Sequence, residues 1–336
     1  MRSDRVLLAH GSGGTMMREL IEEVFVARFG DDALKRMDDA ASLDVPSGRI
    51  ALSTDTYVVT PLFFPGGDIG HLAVAGTVND VATSGATPLF LTVGFVLEEG
   101  LMIEDLRRIL DSMATVAAEA GVRIVTGDTK VVERGHGDGV YINTAGVGVL
   151  PEGVDLSGSY CKPGDKVLLS GTLGDHGVAV MSTREGLQFG TDIESDAAPL
   201  NHLVAATLAA APDARCFRDP TRGGLASCLN ELASASGVSI TVTEDDVPVR
   251  EQVRGACEML GYDVYQVANE GKMVAVVPAA QADAALAAMR GAKYGEDAAI
   301  IGEVAEGPAG RVYVATSFGA RRIMDMLVGE QLPRIC

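Results

Sequence analysis

Short β-rich runs alternate with helical segments of three- and four-residue apolar spacing in both halves of this chain, and a Pro- and Gly-rich stretch over residues 151–164 divides the halves. That alternation predicts mixed domains of the α/β or α+β class, and periodicity leaves open which of the two. With 336 residues, and roughly 100 to 200 residues per domain, the chain fits two domains that each bury a core. In the first half Thr15 is placed to cap a helix carrying Met17, Leu20, Ile21, Val24 and Phe25, which Gly30 ends. Strands are expected over 50–53, 57–60, 89–97, 122–126 and 140–150, with helices over 69–84 and 103–120. The second half predicts strands at 166–170 and near Ile240, Val274, Ile300 and Val312, with helices near Gly177, Asn201 and Leu225. A last short helix over 318–328 would stop at Gly329, leaving a terminal segment that Pro333 keeps from continuing as helix.

Lys and Arg number 27 against 46 Asp and Glu, a net charge of −19, so the chain's own field opposes nucleic acid or anionic lipid as partners. A small anion such as a nucleotide requires metal ions or backbone donors to cancel nearby carboxylates. The 40 glycines exceed the usual ~7% and predict many tight turns. The longest apolar runs, such as 89–97 and 203–211, are about half of what a bilayer requires, and the charged start has no signal-type stretch; the expected setting is cytoplasmic, off the membrane. Five widely spaced cysteines form no metal or disulfide framework; Cys161, Cys216, Cys228 and Cys257 read as small buried residues. Cys336 is the last residue.

Several residues could carry chemistry. His10-Gly11-Ser12-Gly13-Gly14 precedes a helix start and reads either as a plain turn or as a backbone cradle for phosphate. Asp38, Asp39, Asp55, Asp80, Asp128 and Asp219 fall near the ends of expected elements, where each alone is a turn or cap residue and together they suit Mg²⁺. Lys130 and Glu270 are surface charges unless a pocket holds them, in which case they are general acids or bases. The carboxylate on Cys336 itself disfavours a thiolate, so this thiol suits an acceptor of a group from an activated donor better than a self-activated nucleophile. Seven extended residues before the end reach about 23 Å, enough to enter a pocket.

Nearly end to end, the chain resembles the HypE family of hydrogenase maturation factors. The segments that carry the likeness are His10 to Gly14, Ser53 to Pro61, Phe63-Phe64-Pro65-Gly66-Gly67-Asp68-Ile69-Gly70, Gly76-Thr77-Val78-Asn79-Asp80, Gly127 to Val132, Gly174-Asp175-His176-Gly177, Asp219 to Leu225, Ala268 to Lys272 and, most discriminating, Pro333-Arg334-Ile335-Cys336. The aspartates are also similar to the wider aminoimidazole ribonucleotide synthetase and selenophosphate synthetase superfamily. Thr56 stands where the family usually has serine.

The resemblance implies a two-domain PurM-like α/β (α+β) fold: a β-rich ATP-binding and dimerisation domain over 1–152, an α+β domain over 153–317 and a mobile tail over 318–336. It implies ATP-dependent dehydration of a carbamoyl group on Cys336 to a thiocyanate, which supplies cyanide to the iron of nickel-iron hydrogenase. Implied partners are a second copy of the chain, the carbamoyltransferase HypF that loads Cys336, and the HypC–HypD complex that accepts cyanide. Carried over position by position, Asp39, Asp55, Asp80, Asp128 and Asp219 become the Mg²⁺ and phosphate-side acids, with His10, Gly11, Gly13, Gly14 and Asn79 at the nucleotide and Lys130 and Glu270 in proton transfer. Two rivals stand beside this reading: a superfamily synthetase or kinase acting on a free small molecule, and a non-catalytic carrier.

Overall fold

The computed structural model describes residues 3–12, 14–37, 40–187, 193–326 and 335. After a 3-10 turn (Leu8–Gly11) comes the expected first helix, as α1 (Gly14–Leu20), a π-helical segment (Ile21–Val26) and α2 (Ala27–Phe29). Its buried side holds Leu20, Val24 and Phe25, and Gly30 ends it with φ 65°. A short α3 (Asp32–Lys35) precedes β1 (Arg49–Tyr57), the small hairpin of β2 (Phe63–Phe64) and β3 (Gly67–Asp68), α4 (Ile69–Thr83), β4 (Thr87–Glu98), α5 (Ile103–Ala120), β5 (Arg123–Val132) and β6 (Val140–Leu150).

These strands form a four-stranded sheet in the order β1-β6-β4-β5, antiparallel except for the β4/β5 pair. Helices α4 and α5 cover one face. In α5 the residues Leu106, Ile109, Leu110, Met113 and Val116 recur at helical spacing and are buried, whereas α4 is buried almost all round because the second half packs on its far side. Asp68 caps α4, its Oδ1 accepting from the N–H groups of Gly70 at 2.7 Å and His71 at 2.9 Å. The other face of the sheet is open, and Leu52 on it is 69% exposed.

The second half contains β7 (Lys166–Leu169), α6 (Asp175–Glu185), α7 (Asn201–Ala210), β8 (Cys216–Arg218), α8 (Gly224–Ser236), β9 (Ser239–Thr243), α9 (Glu251–Leu260), β10 (Val274–Val277), α10 (Ala282–Gly291), β11 (Ala299–Ala305), β12 (Arg311–Ala315) and β13 (Arg321–Ile323). Its seven strands run β13-β12-β9-β11-β7-β10-β8, with β9/β12 the parallel pair. The halves are pinned by Asn79 of α4, whose Oδ1 accepts from Leu200 N–H at 2.7 Å while Nδ2 donates to Ala198 O at 3.0 Å and Glu270 O at 3.4 Å. Among the described residues no helix is long and apolar enough to cross a membrane.

Three expectations change. The run 50–53 continues to Tyr57, because all nine residues of β1 find partners on β6, and residues 58–60 of the second expected run are not strand; Asp55 therefore lies within β1, two residues from its end. Strand β5 extends past Thr126 to Val132 along β4 although its apolar run stops early, so Asp128 and Lys130 are strand residues too. Over the described part of the helix expected at 318–328, residues 318–326, a hairpin takes its place. Gly319, at φ 78°, allows Thr316 N–H to reach Ala320 O at 2.8 Å, and β13 then pairs antiparallel with β12.

Candidate active site

Where α4 meets the second half, a cavity of about 390 Å³ opens at the β1 edge of the sheet. Thr54, Asp55 and Tyr57 enter it from β1, and Gly76 and Asp80 from α4. Arg218 and Asp219 at the end of β8, Arg222 in the following loop, Glu231 on α8 and Glu270 before β10 complete the wall. Gly76 is required here, since a Cβ would collide with the Tyr57 hydroxyl. Gly224, at φ 60°, begins α8 against the carbonyls of Tyr265 and Val267, each 2.6 Å from where a Cβ would sit.

Acidity dominates this wall. Glu270 is 6% exposed, and its Oε1 has no hydrogen-bond partner among the described residues. Burial, then the charges of Asp219, Asp196 and Asp55, push its carboxyl well above the usual range, with Arg222 pulling the other way. Asp80 accepts from Ser53 Oγ at 2.8 Å, yet burial and the Asp219 carboxylate push it up to about 6. Thr221 donates to Asp219, Arg222 Nη2 lies 3.4 Å from Asp55 Oδ1, and Arg218 pairs with Glu231.

Asp55, Asp80 and Asp219, three of the five acids expected on the Mg²⁺ side, thus surround one space. No three of the described His, Cys, Asp and Glu residues are grouped closely enough to hold a metal ion by themselves. That is compatible with Mg²⁺, which takes one or two carboxylates and completes its shell with water and phosphate oxygens. The mutual repulsion that raises Asp80 is what a bound dication would relieve, so these residues fit the ion.

Other expected site residues lie elsewhere. Asp128 and Lys130 pair with each other at 2.8 Å on β5, the far edge of the sheet, and do not line the cavity. The register Thr56↔Asn143↔Gly94↔Asp128 puts Asp128 on the sheet's open face. Two strands intervene between β1 and β5, a separation of roughly 14 Å at about 4.8 Å per strand, beyond a lysine's reach. Within one chain, then, Lys130 and Glu270 are not brought together.

His10 is buried with Nδ1 accepting from Leu7 N–H at 3.0 Å, so its ring closes the 3-10 turn. Gly11 packs against Val131 of β5, and Gly14 opens α1 away from the cavity lining. Asn79, expected at the nucleotide, spends its amide joining the halves. Gly13, Asp38, Asp39 and Cys336 lie outside the described residues. Sequence reasoning missed Arg218, Arg222 and Glu231, since isolated charges on a strand end, a loop and a helix carry no pattern.

Residues 37–150 match the N-terminal domain of AIR synthase related proteins, and residues 162–315 match the C-terminal domain of the same group. The fold is thus that of a two-domain AIR synthase related protein. The "Carbamoyl dehydratase HypE" of Azotobacter vinelandii is 55% identical over all of this chain and 98% of its own length. A crystal structure of hydrogenase maturation protein HypE in complex with ATP superposes with TM-score 0.95 at 49% identity, covering 98% of this chain and 99% of that one. A HypE–HypF complex aligns at TM-score 0.81 and 52% identity over 92% of this chain and 99% of that one. The chain belongs to the HypE family of carbamoyl dehydratases.

Proposed function

We propose that this chain performs the family's reaction on its own C-terminus, the ATP-dependent dehydration of a carbamoyl group on Cys336 to a thiocyanate for the cyanide ligand of nickel-iron hydrogenase. The observation that carries the reading is Glu270, a buried carboxyl with one oxygen lacking a partner among the described residues, facing a cavity of about 390 Å³ ringed by Asp55, Asp80 and Asp219.

The thiocarbamate oxygen attacks the γ-phosphoryl group of ATP, ADP leaves, and the nitrogen gives up one proton. Loss of phosphate with the second N–H proton then forms the C≡N bond, for a net change of carbamoyl plus ATP to thiocyanate, ADP and phosphate. Glu270 takes the first proton, because its raised pKa makes the ionised carboxylate a stronger base than an exposed one. When bound by Asp55, Asp80 and Asp219, with Asp39 and Asp128 as the remaining proposed acids, Mg²⁺ supplies the charge that lets a nucleotide enter this acidic site. The His10–Gly14 loop is proposed on the phosphate side.

Lys130 serves the second proton transfer only in a homodimer built on the open sheet face, where Asp128, Lys130 and the exposed Ile50 and Leu52 would meet the partner. HypF is the proposed donor of the carbamoyl group, and HypC–HypD the acceptor of cyanide. Cys336→Ala tests the scheme: it abolishes thiocyanate while nucleotide binding stays. An enzyme acting on a free small molecule would instead keep turnover after loss of residues 332–336.

A further inference from the structure

The Gly174-Asp175-His176-Gly177 motif has no part in the chemistry above. His176, in the first turn of α6, is wholly buried and has both ring nitrogens engaged. Its Nδ1 lies 2.9 Å from Ser195 Oγ, and its Nε2 lies 2.6 Å from the carbonyl oxygen of Ile335. A carbonyl only accepts, so Nε2 carries the proton. The Ser195 hydroxyl therefore donates to Nδ1, and its oxygen accepts from Ala197 N–H at 3.1 Å. Burial lowers the pKa of His176 and keeps this single tautomer neutral. Phe64 stands edge-on to the ring, centroids 5.6 Å apart.

Ile335 is 5% exposed and belongs to the same buried cluster as Phe64, Val180, Ala197 and Ala268. The start of α6 also holds the segment that carries Glu270: Asn269 Oδ1 accepts from Gly174 N–H at 2.7 Å, and Ala268 O accepts from Gly177 N–H at 3.2 Å. One helical turn thus grips the chain one residue before Cys336 and one to two residues before Glu270.

We propose that His176 is a positioning residue that holds the Ile335 carbonyl and so sets the terminal residue in register with Glu270; its catalytic consequence rests on Cys336 being the acceptor. The imidazole donor and the apolar seat of Ile335 act as one latch, on a terminus that must also be released to partners.

The test compares the full chain with His176→Ala, His176→Gln and Ile335→Asp. Iodoacetamide alkylation of Cys336 reports the latch directly, because the other four cysteines are buried. Alkylation is expected to be about tenfold faster in His176→Ala and Ile335→Asp, and near wild type in His176→Gln, whose amide restores a donor at similar reach. Carbamoylated His176→Ala and Ile335→Asp should dehydrate about tenfold more slowly with an unchanged KM for ATP. Ile335→Asp changes only the terminal segment, so misfolding of the His176 variants would not blur the result. Wild-type alkylation rates in both His176→Ala and Ile335→Asp overturn the latch. Faster alkylation in a chain whose wild type never dehydrates supports the latch and overturns the dehydratase reading instead.

Discussion

At the scale of single residues, the account turns on carboxyl groups held where they would rather be neutral. Asp80 shifts from 3.8 to about 6, so the fold favours its protonated form. The associated stability is present in full below pH 3.8 and is gone once the pH passes about 6. Asp80→Asn should therefore stabilise the ligand-free protein at pH 8 by about 1–3 kcal/mol, and by about half as much at pH 5. Thermal melts at the two pH values check this; equal gains at both would contradict it. The same substitution should weaken Mg-ATP binding, because the strained carboxylate is kept for the ion. These aspartates were legible in sequence by residue type. Their grouping was not: nothing in one dimension distinguishes Asp80, on the helix face toward the second half, from Asp128, on the far edge of the sheet.

At the scale of elements, α4 is the joint. Its sequence reads as an apolar helix, and its burial on both sides explains why no polar stripe marks a solvent face. Asn79 is the polar exception, and it links α4 to Ala198, Leu200 and the Glu270 carbonyl. Asn79→Ala leaves the Leu200 N–H and the Ala198 carbonyl without these partners, an expected cost of about 2–4 kcal/mol, since buried unmet groups cost about 1–3 kcal/mol each. Denaturant unfolding reads the loss, and a change under about 0.5 kcal/mol would remove Asn79 from this role. Helices α5 and the first of the chain were legible because amphipathic spacing and a closing glycine both mark them. The tail hairpin was not, because residues 321–323 have helix-compatible spacing and only pairing with β12 makes them a strand.

At the scale of the whole molecule, the four-stranded sheet has one face packed and one bare. Leu52, at 69% exposure, lies on edge strand β1 and faces the bare side with Ile50 two residues before it, the exposed apolar residues on which the proposed homodimer contact rests. If the proposed homodimer forms on this face, Leu52→Arg should leave a monomer in analytical ultracentrifugation and reduce dehydration by about 10²-fold, because Lys130 would lose access to a shared site. A variant that stays dimeric, or a fully active monomer, contradicts that placement. The alternation of strands and helices around residues 151–164 carried the two-part architecture, while the open face is a product of register that no single strand reveals. The most direct test of the central claim is mass spectrometry of the C-terminal peptide after carbamoylated chain is mixed with Mg-ATP. The account predicts loss of one water from the Cys336 peptide, matched one for one by ADP; ATP hydrolysis with the carbamoyl group left intact would contradict it.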